Sequence, residues 1–73
     1  MSALPALSGE EVASIFKKHG WQIARQRGSH IILVKEGQQT TLSIPNHKEV
    51  AKGTLRSLIR SSNLTTEQWL SVL

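Results

Sequence analysis

Hydrophobic residues along this chain recur with two different periods. Apolar residues stand at helical spacing in two stretches, at Val12, Ile15 and Phe16 and again at Leu55, Leu58 and Ile59. Between these stretches lie three short segments that are rich in β-formers and separated by glycine turns, at residues 21–27, 30–35 and 40–44. This pattern predicts an α+β domain in the order α-β-β-β-α, built on a three-stranded antiparallel sheet.

Capping signals set the predicted helix boundaries. Ser8 precedes Glu11 at capping-box spacing, and a basic stretch followed by glycine ends the first helix, which we predict at residues 9–19. The second helix should open at Gly53-Thr54 and stop at Asn63. Residues 65–68 repeat the capping-box spacing and predict a short extra helix at the C-terminus.

Strand pairing predicts which side chains share a face of the sheet. A second hairpin that turns through Gly37-Gln38 pairs Lys35 with Thr40, Leu33 with Leu42 and Ile31 with Ile44, which gives one strongly apolar face for the helices to cover. The uncovered face then carries His30, Ile32, Val34, Thr41 and Ser43. For the first hairpin we expect a three-residue turn, Arg27-Gly28-Ser29, because it also places Trp21 and Ile23 on the covered face.

Composition narrows the class of protein. The 73 residues make one domain, 1–73, in which we expect residues 1–7 to be flexible. Nine Lys and Arg against five Glu give a net charge of +4 and a pI near 10.2, which favours an anionic partner. Without cysteine there is no disulfide framework, and no apolar stretch has the length of a signal peptide core or a membrane span. We therefore expect a cytoplasmic protein with no membrane association.

The candidate chemistry centres on His30, which follows Arg25-Gln26-Arg27-Gly28-Ser29 at the start of the second strand. An imidazole exchanges protons near neutral pH, and flanking arginines suit an anionic substrate. His47 follows Pro45 closely enough to lie near the same end of the sheet, in a loop with Lys48 and Lys52. The N-terminal amides of the second helix can also receive a phosphate oxygen. Pairing therefore predicts a basic edge with His30 at its centre.

Four motifs in this order resemble the HicA (YcfA-like) family of toxin ribonucleases. They are Gly20-Trp21, residues 25–30, Ile44-Pro45-Asn46-His47, and Lys52-Gly53-Thr54-Leu55-Arg56, and the match runs from about Ser8 to Leu70. The resemblance implies a fold like the double-stranded RNA-binding domain. It also implies an mRNA interferase of a prokaryotic toxin–antitoxin system that a cognate HicB-like antitoxin neutralises. The family's catalytic histidine corresponds to His30, although the second hairpin here is shorter than in many members.

The residue chemistry is compatible with that reading. RNA is cut without a metal when a base takes the proton of the 2′-OH, and a positioned histidine can do this. The glutamates are scattered, so we predict no metal site and no cofactor. We assign phosphate contacts to Arg25, Arg27, Lys48 and Lys52, and a further RNA contact to His47. Gly28 and Ser29 are expected to hold His30 in position.

Two other classes of function remain open at this point. A non-catalytic double-stranded RNA-binding module would share the fold and the positive charge, and would bind RNA without cutting it. A protein-binding domain could instead use its basic surface for an acidic partner. Each residue also has a structural reading, since Gly28 and Ser29 are ordinary turn residues and His30 could be a polar residue that begins a strand.

Overall fold

The computed structural model describes residues 3–73, and its core lies between one face of a sheet and the helices. Three strands, β1 (Gln22–Arg27), β2 (His30–Val34) and β3 (Leu42–Pro45), form an antiparallel sheet with β2 in the centre. The helices are α1 (Gly9–Lys18), α2 (Lys52–Ser61) and α3 (Thr66–Leu70). The predicted α-β-β-β-α order with a short extra helix is confirmed. Within residues 3–73 no helix has the length and apolar character of a membrane span.

Both predicted capping boxes are present. Ser8 Oγ accepts a hydrogen bond from the Glu11 amide at 3.1 Å, while the Ser8 amide donates to Glu11 Oε1 at 2.9 Å. Thr65 and Gln68 make the same reciprocal pair at the start of α3. These bonds satisfy amides that have no partner inside the helix, which explains why the two helices begin where the sequence predicts.

The second helix departs from the prediction at its start and agrees with it at its end. α2 begins at Lys52 rather than at Gly53-Thr54, and among the described residues no side chain caps the helix at Ala51. At the other end, Asn63 has a φ of 65°. This left-handed conformation, which asparagine tolerates better than most residues, ends the helical path.

The second hairpin has the predicted register. Ile31 pairs with Ile44 and Leu33 with Leu42, and all four side chains are buried in the core. β3 nevertheless begins at Leu42 rather than at residue 40. The Gln38 amide donates to the Lys35 carbonyl at 3.0 Å, which closes the turn early and leaves residues 39–41 outside the ladder.

The predicted three-residue turn of the first hairpin is wrong. Arg27 pairs directly with His30, so the turn has two residues, and the register shifts between Ile23 and Arg25. Without that shift a two-residue turn would place Ile23 on the uncovered face. The bulge inserts one extra residue into β1 and returns Ile23 to the position opposite Leu33, on the covered side. Ile23 thus lies on the expected face, but because of a bulge in β1 and not because of a longer turn.

Two residues of the segment before α1 contact the rest of the domain. Leu4 is only 2% exposed, and the Leu7 carbonyl accepts a hydrogen bond from the Val50 amide at 2.8 Å. The flexibility expected for residues 1–7 stays a prediction. Met1 and Ser2, which that expectation also covered, lie outside the described residues.

Neighbouring residues of β2 should therefore differ sharply in their effect on stability. We expect Leu33→Ala to lower the free energy of unfolding by about 2–5 kcal/mol, because it opens a cavity in a fully buried site. Val34→Ala, on the uncovered face, should change it by only about 0.5 kcal/mol. Urea unfolding followed by circular dichroism measures both values. Equal losses in the two variants would contradict the one-sided core.

Candidate active site

His30 is the first residue of the central strand and lies exposed on the uncovered face of the sheet. Its partners in the ladder are Arg27 on β1 and Pro45 on β3. Arg25 pairs with Ile32, two positions further along β2. Since directly opposed residues share a face, Arg25, Arg27 and His30 all point to the same side. Directly opposed side chains have Cβ atoms about 5 Å apart, so the side chains of Arg27 and His30 start from neighbouring positions.

The turn before His30 depends on glycine. Gly28 has a φ of 55°, and no other atom of the described chain lies within 4 Å of a Cβ built on it. Positive φ at the first of two turn residues is the requirement of a type II′ hairpin turn, which joins twisted strands tightly. Backbone conformation rather than lack of space therefore requires glycine here, and the tight turn brings Arg27 opposite His30.

Three backbone hydrogen bonds hold the loop that carries His47 and Lys48. The Asn46 amide donates to the Ser29 carbonyl at 2.6 Å, the Gly9 amide to the His47 carbonyl at 2.9 Å, and the Val50 amide to the Leu7 carbonyl at 2.8 Å. The first bond joins the loop to the turn before His30, and the other two join it to the segment that leads into α1. His47 and Lys48 are both exposed on this loop.

The structure thus brings most of the predicted residues to one end of the sheet. Arg25, Arg27, Gly28 and Ser29 stand on the strand and turn beside His30, and the His47 loop is bonded to that turn. Lys52 is placed by a different element, as the exposed first residue of α2 at the far end of the loop. Within residues 3–73 no three His, Cys, Asp or Glu side chains are grouped so as to hold a metal ion.

A groove of about 310 Å³ lies on the other side of the sheet, between α1 and β1. Its lining includes Lys17 of α1 and Ile23 and Gln26 of β1, and His30 is not among the residues that form it. Ile23 is 48% exposed there although it pairs with buried Leu33. The residues of the candidate site are instead exposed on the uncovered face and on the loop beside it.

A family model described as "HicA toxin of bacterial toxin-antitoxin" matches residues 9–64, which include every element from α1 to α2. The chain belongs to the HicA toxin family. No curated protein matches it.

A solved structure also supports the assignment of this chain to the HicA toxin family. One chain of a "Toxin-Antitoxin complex from Streptococcus pneumoniae" is similar over 80% of this chain and 98% of its own, with 30% identical residues and a TM-score of 0.71. The expected family and the expected α+β architecture are therefore both confirmed.

The two glycines at hairpin turns allow a matched test of the His30 position. Gly28→Ala and Gly37→Ala each place an L side chain at positive φ, with φ values of 55° and 84°. Each should lower the free energy of unfolding by about 1–2 kcal/mol. NMR spectra should show that only Gly28→Ala shifts the His30 ring signals, since Gly37 lies in the other hairpin. Equal shifts in both variants would mean that the turn does not position the imidazole.

Proposed function

We propose that this HicA toxin is an endoribonuclease that cleaves mRNA without a metal ion, with His30 as the acid–base residue. The observation that carries the proposal is the exposed imidazole of His30 directly across the ladder from Arg27. A proton-exchanging ring beside a permanent cation, on an open face, is suited to a flexible polyanion. The site would then act in the prokaryotic cytoplasm, where mRNA is made and translated.

The chemistry follows from these groups. His30 takes the proton of a ribose 2′-OH, and the freed oxygen attacks the adjacent phosphorus. The bond from phosphorus to the 5′-oxygen of the next nucleotide then breaks, and that oxygen takes up a proton. The 5′ fragment is left with a 2′,3′-cyclic phosphate. Arg27 and Arg25 stabilise the negative charge that builds on the phosphoryl oxygens during attack.

The remaining assigned residues act on binding and position. Gly28 and Ser29 hold the turn that presents His30, and the Ser29 carbonyl also receives the loop through Asn46. His47, Lys48 and Lys52 contact phosphates of the same RNA strand further along the loop and at the start of α2. Contacts of this kind bind RNA by charge and carry little base specificity.

His30→Ala should strongly slow RNA cleavage and leave the fold unchanged. Expression of the unsubstituted chain should slow bacterial growth, and the variant should relieve this. With purified protein, the cleavage rate should fall by about 10²- to 10⁴-fold, the usual contribution of general acid–base catalysis. Thermal unfolding should be nearly unchanged, because His30 is exposed.

His19→Gln is the matched control for the histidine test. His19 Nε2 lies 3.2 Å from the Trp69 carbonyl, outside the candidate site, so its loss should leave cleavage intact. Equal cleavage by the unsubstituted protein and by folded His30→Ala would remove His30 from catalysis. RNA binding without cleavage by either protein would favour the double-stranded RNA-binding module instead.

Cleavage should continue in excess EDTA. The prediction rests on the scattered carboxylates of the chain, since enzymes that use Mg²⁺ usually bind it through carboxylates. Mass spectrometry of the 5′ fragments should find a cyclic phosphate or the 3′-phosphate formed from it. Activity that EDTA removes and Mg²⁺ restores would contradict the mechanism. The His30→Ala protein, purified in parallel, excludes contaminating ribonucleases.

We further propose that a HicB-like antitoxin inhibits this toxin by covering the face that carries His30. Val34 is 39% exposed on that face and Ile32 is partly exposed, so two branched apolar side chains lie beside the basic residues. A protein partner can bury both and can place acidic groups against Arg25 and Arg27. Charge complementarity of this kind speeds association and makes it sensitive to salt.

Ile32→Glu and Val34→Glu should each weaken antitoxin binding by at least tenfold, because they place a buried, unmatched charge in the interface. Ile23→Glu is the matched control, since it makes the same change at an exposed isoleucine on the opposite side of the sheet. Titration calorimetry with the purified partner gives the affinities, and circular dichroism checks each fold. Unchanged affinity in well-folded Ile32 and Val34 variants would place the antitoxin on another surface.

A further inference from the structure

Gly9 stands where the start of α1 meets the loop of the candidate site. It is the first residue of α1 and is buried, and its amide donates to the His47 carbonyl at 2.9 Å. A Cβ built on Gly9 would overlap the Pro45 carbonyl oxygen and would lie 2.7 Å from Asn46 Cα. Both neighbours are backbone atoms, so no flexible side chain can move aside. Only glycine allows this approach.

The backbone that a side chain at residue 9 would displace is joined directly to His30. Pro45 is the ladder partner of His30, and the Asn46 amide donates to the Ser29 carbonyl at 2.6 Å. A displacement of Pro45 and Asn46 can therefore reach the imidazole in two ways. One is through the ladder pair of Pro45 and His30, and the other is through the hydrogen bond from Asn46 to the turn. The same movement shifts the carbonyl of His47 and the loop behind it.

We infer that Gly9 is a positioning residue for the His30 site. Its lack of a side chain lets α1 begin against Pro45 and Asn46, and this contact sets His30 at its distance from the His47 loop. The inference rests on the proposed ribonuclease function. Catalytic groups lose much of their effect when they are displaced by about 1 Å, so a small shift at this contact has a large consequence for rate.

Ser14 provides a control on the same helix. It lies exposed on α1 and lines the groove between α1 and β1, away from His30. Alanine is the better helix former at both positions, so Gly9→Ala and Ser14→Ala differ mainly in the contact that residue 9 makes with Pro45 and Asn46. We expect Ser14→Ala to retain full cleavage of a short RNA oligonucleotide.

Gly9→Ala should lower kcat by at least tenfold and change KM by less than about threefold, because the phosphate-binding cations of β1 stay in place. In ¹H–¹⁵N NMR spectra its shifts should extend from residue 9 to the amides of Ser29 and His30. If Gly9→Ala and Ser14→Ala cleave equally, the inference is wrong. If the unsubstituted protein cuts no RNA while these shifts appear, the proposed function fails and the positional link stands.

Hydrogen exchange of the unsubstituted protein tests the inference even if Gly9→Ala does not fold. The amides of Gly9 and Asn46 should exchange slowly, at rates close to those of the paired amides at the start of β2. We expect this because their hydrogen bonds connect the start of α1, the His47 loop and the turn before His30. Fast exchange of both the Gly9 amide and the Asn46 amide would contradict the inference, because the start of α1 would then not be held against the backbone of Pro45 and Asn46.

Discussion

The two-residue alternation of β2 is the constraint on which the rest of the molecule depends. β2 is the central strand, so its odd-numbered side chains, Ile31 and Leu33, face the helices and are almost fully buried. Its even-numbered side chains, His30, Ile32 and Val34, necessarily point the other way. A shift of one residue would bury the imidazole and expose the core, so the stability of the fold and the exposure of the candidate site have one physical origin.

Sequence reasoning could predict this alternation because it depends on local pairing. The second hairpin has a strongly apolar face on both strands, so only one register buries Ile31, Leu33, Leu42 and Ile44 together. The first hairpin has no such match, since every residue of β1 is exposed. The sequence pattern therefore correctly placed Ile23 on the covered face but could not distinguish a longer turn from a bulge. The first adds one residue to the turn and the second adds one to β1, and both have the same effect on the face of Ile23.

Parts of the candidate site were likewise predictable from local pairing, and other parts were not. The gathering of Arg25, Arg27 and His30 at one edge of the sheet was predictable from the first hairpin. Their common face was not, because the predicted three-residue turn would pair Arg25 with Ile31 on the covered side, whereas Arg25 pairs with Ile32. The contact between Gly9 and the backbone of Pro45 and Asn46 was not, because it joins segments that are distant in sequence and involves no side chain on either part. The sequence held one signal for it, a glycine at the first position of a helix that otherwise has good capping residues.

The uncovered face of the sheet carries both cations and apolar side chains. The proposed substrate and the proposed inhibitor would therefore bind the same surface through different residues. In the proposed function, RNA would be attracted to Arg25 and Arg27 by charge and would gain little from Ile32 or Val34. A folded protein gains most from burying those two side chains, since desolvated apolar contacts dominate interface energies. The partner therefore has a source of affinity that the substrate lacks. On a domain of 73 residues, whose helices already cover the opposite face, this exposed apolar pair is explained more simply by a partner than by stability.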